Sequence, residues 1–337
     1  MFNFNAPRYE KVLIDALAMR PEIERAADAI SAEGYSNLFF IGCGGTYAHA
    51  LPMKYWLETA SNIEVHAEIA AEFMLMGHRA FSKDSVCIFS SRSGNTKEIV
   101  EAAKFCKEAG ARTIVYVSND NTPICDYADY KVSSFAEDDH LCEAIYTFMI
   151  TLVARLMKNA GEFADYDLFV KEYDRIAPYL LHAKELYDDR CCEIAARLKG
   201  HSYHMIVGSG MLWGEAYDYA MCILEEMLWQ KTKAVHAAEF FHGTLELVEK
   251  DTSILLFYGE DETRPLMDRV ERFVNKISEV VSVFDTMDVE LPFTRPEFRK
   301  IVSPLVIYAL MERLSCHLEK ELDHPLTTRR YYRQMEY

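Results

Sequence analysis

The 337-residue sequence predicts an α/β protein of two domains, each a parallel sheet flanked by helices in a three-layer αβα sandwich. Two observations carry that expectation. Short apolar runs closed by glycines or polar turns alternate with helical stretches along the chain. The order of motifs in the first half also recurs in the second. Half of the residues are hydrophobic, enough for two sizeable cores.

The elements follow in order. A polar helical opening runs over about residues 8–33. Residues 38–41 are continuously apolar and end in Gly42-Cys43-Gly44-Gly45-Thr46, as a buried parallel strand does when a glycine turn leads into a helix. Similar strands are expected at residues 86–89, 113–117, 205–207, 254–257 and 280–284. Residues 166–198 are long, charged and helix-compatible, and read as linker helices. The expected division is therefore residues 1–165, the linker 166–198, and residues 199–337 with a C-terminal tail.

The two domains read as copies of one unit. Gly42-Cys43-Gly44 is followed by a helix, then Val65-His66-Ala67, then Ala71-Glu72-Phe73. Gly208-Ser209-Gly210 is followed by a helix, then Val235-His236-Ala237, then Ala238-Glu239-Phe240. Gly42 to Glu72 spans 30 positions, and Gly208 to Glu239 spans 31, so three matches keep both order and spacing. Because Glu72 and Glu239 occur in both copies, they read as acids that brace a backbone turn. Residues 91–96 of the first copy fall opposite residues 258–263 of the second, where hydroxyls give way to acids.

The net charge of −17 argues against nucleic acid as a partner, since a phosphate backbone needs a basic face. It leaves room for a small anion held by local N–H groups. Nine cysteines show no paired C-x-x-C spacing, and Cys191 and Cys192 are adjacent, so neither a metal site nor a disulfide framework is expected. The N-terminus is mixed and polar, and no run of about 18 apolar residues is seen, so no membrane span is expected. A reduced, cytoplasmic compartment fits this pattern.

The anion would sit at Ser91-Arg92-Ser93-Gly94-Asn95-Thr96. The segment follows a strand and precedes Ile99, Ala103 and Cys106 at helical spacing. A helix N-terminus offers unpaired N–H groups and about half a positive charge. Ser91, Ser93 and Thr96 add hydroxyls, and Gly94 lets the backbone come close. A plain cap by Asn95 with Glu98 would explain two of these residues but not three hydroxyls. Thr46 is the expected fourth hydroxyl, a helix cap being the alternative.

In the second half, Glu226 follows Glu225 on an apolar helix over residues 220–229. Helical neighbours point about 100° apart, so one acid can face solvent while the other faces a cleft. A carboxylate dried among Met, Leu and Trp would be raised toward neutrality, as a general base requires. Both acids being solvated is the alternative. His242, beside aromatics and Gly243, is either a site residue or a satisfied core histidine.

The motifs G-C-G-G-T, S-R-S-G-N-T and, at residues 238–246, A-E-F-F-H-G-T-L-E together resemble the sugar isomerase (SIS) domain family, in two copies that cover nearly the whole chain. Within it, the chain resembles the isomerase half of glucosamine-6-phosphate synthase and, more closely, the fructosamine-6-phosphate deglycases. The residues Arg329-Arg330-Tyr331-Tyr332 and Glu336-Tyr337 belong to that second likeness. The resemblance implies Glu226 as catalytic base and His242 as the ring-opening acid. It implies Gly44, Thr46, Ser91, Arg92, Ser93 and Thr96 at the phosphate and sugar, and no cofactor or metal. Glu143, Arg330 and Tyr332 are candidate substrate contacts, with Arg330 meeting a carboxylate. The synthase's glutaminase domain is missing, Ile223 stands at its lysine position one turn before the base, and the last lysine is Lys320, so no tail lysine can form a Schiff base.

The expected reaction is therefore hydrolysis of a fructosamine 6-phosphate to glucose 6-phosphate and a free amino acid. A phosphosugar isomerase, a synthase-like aminotransferase and a non-catalytic sugar-phosphate sensor remain the alternatives. A homodimer with shared active sites, or a higher oligomer, is also expected. Phe240, Phe241 and the tail through Arg333 would then cover the junction, with the tail docked over a cleft.

Overall fold

A computed structural model describes residues 1–136, 141–332 and 334–336. The chain forms two compact units. One comprises Ala6–Pro178 and Pro292–Ile301; the other comprises Met1–Asn5, Tyr179–Leu291 and Val302–Tyr337.

In the first unit, α1 (Ala6–Leu17) and α2 (Arg20–Glu33) lead to β1 (Asn37–Gly42), α3 (Gly45–Ala60), β2 (Val65–Ile69), α4 (Ala70–Met76), β3 (Ser85–Ser91), α5 (Lys97–Glu108), β4 (Arg112–Val117) and β5 (Tyr130–Ser133). Then come α6 (Leu141–Asn159), α7 (Tyr166–Tyr173) and the start of α8 (Ile176–Leu198). The strands make one parallel sheet in the order β2-β1-β3-β4-β5. Every residue of β1 and β3 is buried, which is why those strands read as unbroken apolar runs rather than alternating ones. Phe39, Phe89 and Val115 of one sheet face pack with Phe73 of α4 and Ile99, Ala103 and Cys106 of α5. On the other face Tyr116 stacks on Phe148 of α6, with ring centroids 5.6 Å apart.

The second unit continues with β6 (His204–Gly208), α9 (Trp213–Asp218), β7 (Thr232–His236), β8 (Ser253–Tyr258), α10 (Arg264–Val274) and β9 (Val281–Asp285). The last helix, α11 (Pro296–Glu321), enters it at Val302. Its parallel sheet has the order β7-β6-β8-β9, the same as the first four strands of the other sheet. The repeat found in the sequence is thus a repeat of topology. In each sheet the order reverses beside the first strand, and the loops at the carboxyl ends of the two central strands flank that switch point, where open α/β sheets bind ligands.

The division differs from the expected ranges at three places. Helix α7 belongs to the first unit rather than to a linker, and α8 passes from one unit to the other at Pro178. Residues 292–301 return to the first unit because Phe293 and Phe298 pack on Phe169, at 5.9 and 5.2 Å, while Thr294 donates to Glu172 from both its N–H and its hydroxyl. Residues 1–5 join the second unit because the Phe2 carbonyl accepts from Arg313, whose guanidinium lies over the Phe4 ring. Helix α11 is long and apolar enough to cross a membrane by length and composition, but 89% of its apolar window is buried inside the protein. It is a core helix.

Candidate active site

The loop between β3 and α5 is held by its own hydroxyls. Ser91 is buried, and its Oγ accepts the Gly94 N–H at 3.0 Å. Ser93 Oγ accepts the Asn95 N–H at 3.5 Å. Each hydroxyl thereby keeps its own proton to donate. Gly94 has φ +58°, and a Cβ there would overlap the Thr122 side chain, so the position requires glycine for both conformation and space. The Ile124 N–H donates to the Gly94 carbonyl at 3.1 Å and braces the loop from behind. Helix α5 starts after Thr96, not Asn95, and no side chain caps it. The plain capping arrangement is therefore not formed, and the Thr96 hydroxyl stands at a helix N-terminus without a capping bond. Arg92 is half-buried in the same loop.

The neighbouring turn after β1 treats its hydroxyl differently. Gly44, at φ +53°, is the N-cap of α3. Thr46 Oγ1 accepts the Cys43 N–H at 3.1 Å and donates to the Cys43 carbonyl at 3.0 Å. Its proton is committed to the turn, so Thr46 braces the turn, and no side chain caps α3.

In the second unit the equivalent turns are joined by a carboxylate. Asp261 is buried; one oxygen accepts the Met211 N–H at 3.0 Å and the other accepts the Thr263 N–H at 2.8 Å and its hydroxyl at 2.6 Å. Ser209 and Thr263 hydroxyls meet at 2.8 Å. The acids that replace the first copy's hydroxyls do more than lack a phosphate site: one of them occupies the cradle.

Glu226 sits at the end of a π-helical stretch, Tyr219–Glu225, which continues α9. Its N–H reaches back five residues to the Met221 carbonyl at 3.1 Å. Glu225 turns away and accepts from Thr232 Oγ1 at 2.6 Å. The two acids do diverge, but Glu226 is not dried among Met, Leu and Trp. Its side chain is 37% exposed, and Arg329 Nε donates to its Oε1 at 2.9 Å. The arginine that meets a carboxylate is therefore Arg329 rather than Arg330. The Arg330 guanidinium lies 4.1 Å over the Trp229 ring, and Tyr332 is exposed. The tail is docked through Arg329; Arg333 and Tyr337 lie outside the described residues.

His242 ends a short 3₁₀ turn, Phe240–His242, and is exposed. Among the described residues its ring makes no hydrogen bond or ion pair, and none joins it to Glu226. Phe240 is fully buried in the core of its own unit and is not available to cover a junction with another chain. Glu143 is fully buried at the start of α6, closed to a substrate in this conformation. Glu72 and Glu239 are both exposed, and it is the Glu239 backbone, not its acid, that carries the turn: its N–H donates to His236 and its carbonyl accepts from His242.

Residues 34–158 match the SIS domain family. That match lies within the first unit. A fructosamine deglycase of Bacillus subtilis is 28% identical over 318 residues, covering 94% of this chain and 97% of that one. The fructoselysine 6-phosphate deglycase of Escherichia coli K12 is 24% identical over 319 residues, covering 93% and 90%. A crystal structure from B. subtilis, of a candidate phosphosugar isomerase, superposes with a TM-score of 0.90 at 28% identity, covering 96% of this chain and 99% of that one.

Two residues that bear on the site are not apparent from the sequence. Arg329 was read as one of a tail group, with no sign of which arginine turns inward. Asp218 is fully buried two turns before Glu226, and burial, with the nearby Glu226 charge, pushes its carboxyl up to about 6. An acid eight positions ahead of another on an apolar helix is the signal that could have found it. A third group, His66, Glu68 and His78, brings ligand-type atoms within 4.8 Å of one another. His78 Nδ1 accepts the Ala80 N–H at 3.2 Å, which leaves the ring proton on Nε2, facing Glu68. That is a carboxylate–imidazole pair, with the ring nitrogen a metal would need already protonated.

Proposed function

We propose that this protein hydrolyses fructosamine 6-phosphates to glucose 6-phosphate and a free amino acid. The observation that carries the reading is the group that meets Glu226: an arginine, which cannot form a Schiff base with a sugar, in a tail that has no lysine. The likeness to two deglycases over nearly the full length of each supports it.

In this reading Ser91, Ser93 and Thr96 hold the 6-phosphate, with Arg92 and Gly44 beside the sugar. His242 moves a proton between the ring oxygen and the anomeric hydroxyl to open the ring. Glu226 takes a proton from C1, giving an enaminol, and the proton returns at C2. The resulting C1 imine adds water and releases the amine. The substrate nitrogen is the electron sink, so the steps call for no cofactor. The exposure of His242 supports a further part of the proposal, a homodimer in which this residue serves the partner's site. No disulfide joins the eight described cysteines, which supports a reducing, cytoplasmic setting.

The test is direct. Purified protein given a fructosamine 6-phosphate should release glucose 6-phosphate and amine in equal amounts. Interconversion of fructose 6-phosphate and glucose 6-phosphate without amine release would point to an isomerase instead. Tight binding without turnover would point to a sensor.

A further inference from the structure

Arg329 is more carefully held than its pairing with Glu226 requires. Its Nη1 donates to two carbonyls of its own turn, Leu326 at 2.7 Å and Thr328 at 3.0 Å. That turn is itself fixed: the Leu326 N–H donates to Glu319 at 3.0 Å, and the Thr328 N–H to the Pro325 carbonyl at 2.9 Å. Next to it, Arg330 stacks on Trp229, whose ring also meets His324 at 4.4 Å. The guanidinium is thus fastened by one nitrogen and aimed. Nε donates to Glu226, and Nη2 has no partner among the described residues. A guanidinium presents Nε and Nη2 along one edge, matched to both oxygens of a carboxylate. Glu226 holds that edge by a single bond.

We propose that this edge reads the carboxylate of the substrate's amino-acid portion, and that the arriving carboxylate takes Arg329 over from Glu226. The inference rests on the deglycase reading and deepens it. An incoming carboxylate can fill both Nε and Nη2 where Glu226 fills one. The exchange leaves the Glu226 oxygen free to accept the C1 proton, so the base is released by the substrate it acts on. The geometry also selects the linkage. Arg329 touches the group that must reach C1, so the carboxylate it reads lies close to the C1–N bond. In an α-linked fructosyl amino acid, a single carbon separates the carboxylate from the nitrogen. In an ε-linked fructosyl-lysine it lies at the far end of the side chain. The substrate class assigned is the α-linked fructosyl amino acid 6-phosphate.

Three substrates test this: fructosyl-glycine 6-phosphate, its decarboxylated counterpart fructosyl-methylamine 6-phosphate, and ε-fructosyl-lysine 6-phosphate. For the wild-type protein, kcat/KM should favour the first over the other two by about 10- to 100-fold, the scale of a charge-assisted hydrogen-bonded pair. Arg329→Gln should collapse that ratio to within about threefold, whatever activity is left, and Arg329→Lys, which keeps charge but not the fork, should retain part of it. Equal loss on all three substrates in Arg329→Gln would make the residue merely structural and overturn the proposal. So would a wild-type preference for the ε-linked or decarboxylated compound. If none of the three yields glucose 6-phosphate, the deglycase reading itself fails, an outcome distinct from turnover without discrimination.

Discussion

The loops after β3 and β8 stand at the same place in two copies of one frame, and they handle negative charge in opposite ways. After β3, hydroxyls accept the loop's own N–H groups and keep their protons for an incoming anion. After β8, Asp261 brings the anion with it and spends the cradle's donors. Duplication gave two phosphate-type cradles, and one acid closed the second from within. The second copy also carries Glu226, so the proposed function puts anion binding and proton transfer in different copies.

Four changes would break or sharpen that contrast. The largest effect is expected from Glu226→Gln, which should cut turnover by about 10²–10⁴-fold, the range of a lost general base, with little change in binding. Near-normal turnover measured under saturating substrate would move the base elsewhere. Next, Asp261→Ala strips the partner from the buried Met211 N–H and the half-buried Thr263 N–H, leaves the Thr263 hydroxyl with Ser209, and should cost about 3 kcal/mol in chemical denaturation. Inorganic phosphate should then stabilise this variant more than the wild type, if the second cradle is a true copy of the first.

Asp218 gives the pH dependence. Its folded-state carboxyl lies near 6, above its ordinary value of 3.8, so between those values the folded protein holds a proton that the unfolded chain releases. Stability should therefore fall as pH rises from about 4 to 6, by up to about 3 kcal/mol. Asp218→Asn should remove that slope, as thermal melts of both proteins across this range would reveal. Smallest, Ser93→Ala removes one hydrogen bond to the phosphate, worth about 2 kcal/mol. The Michaelis constant should rise roughly 30-fold with turnover nearly kept; an unchanged constant would detach the loop from the phosphate.

The central strands were legible because β1, β3, β6 and β8 are buried on both faces and must be apolar throughout. The edge strands β2, β5 and β7 were not, since a half-exposed strand such as Val65–Ile69 carries His66 and Glu68 without a clean alternation. The strand–turn–helix setting of Ser91–Thr96 was legible for a similar reason: it is written in local residue types. The divergence of Glu225 and Glu226 was legible, but the surroundings of Glu226 were not, because Arg329 lies about a hundred positions away and three arginines of the tail look alike in sequence. Likewise the reach of Phe293 and Phe298 back to Phe169 is a tertiary contact that no local pattern announces.

The π-helical stretch before Glu226 has a consequence for how such a site can be gained or lost. A π turn is an α-helix that has taken in one extra residue. Everything after it is rotated by about 100° relative to an uninterrupted helix. Wound as an uninterrupted α-helix, the same residues would turn Glu226 away by that angle and bring Glu225, which now meets Thr232, into its place. Removing one residue from Tyr219–Glu225 would restore regular winding and leave Glu226 pointing as it does now. The extra residue taken into the helix thus decides which of two adjacent acids meets Arg329.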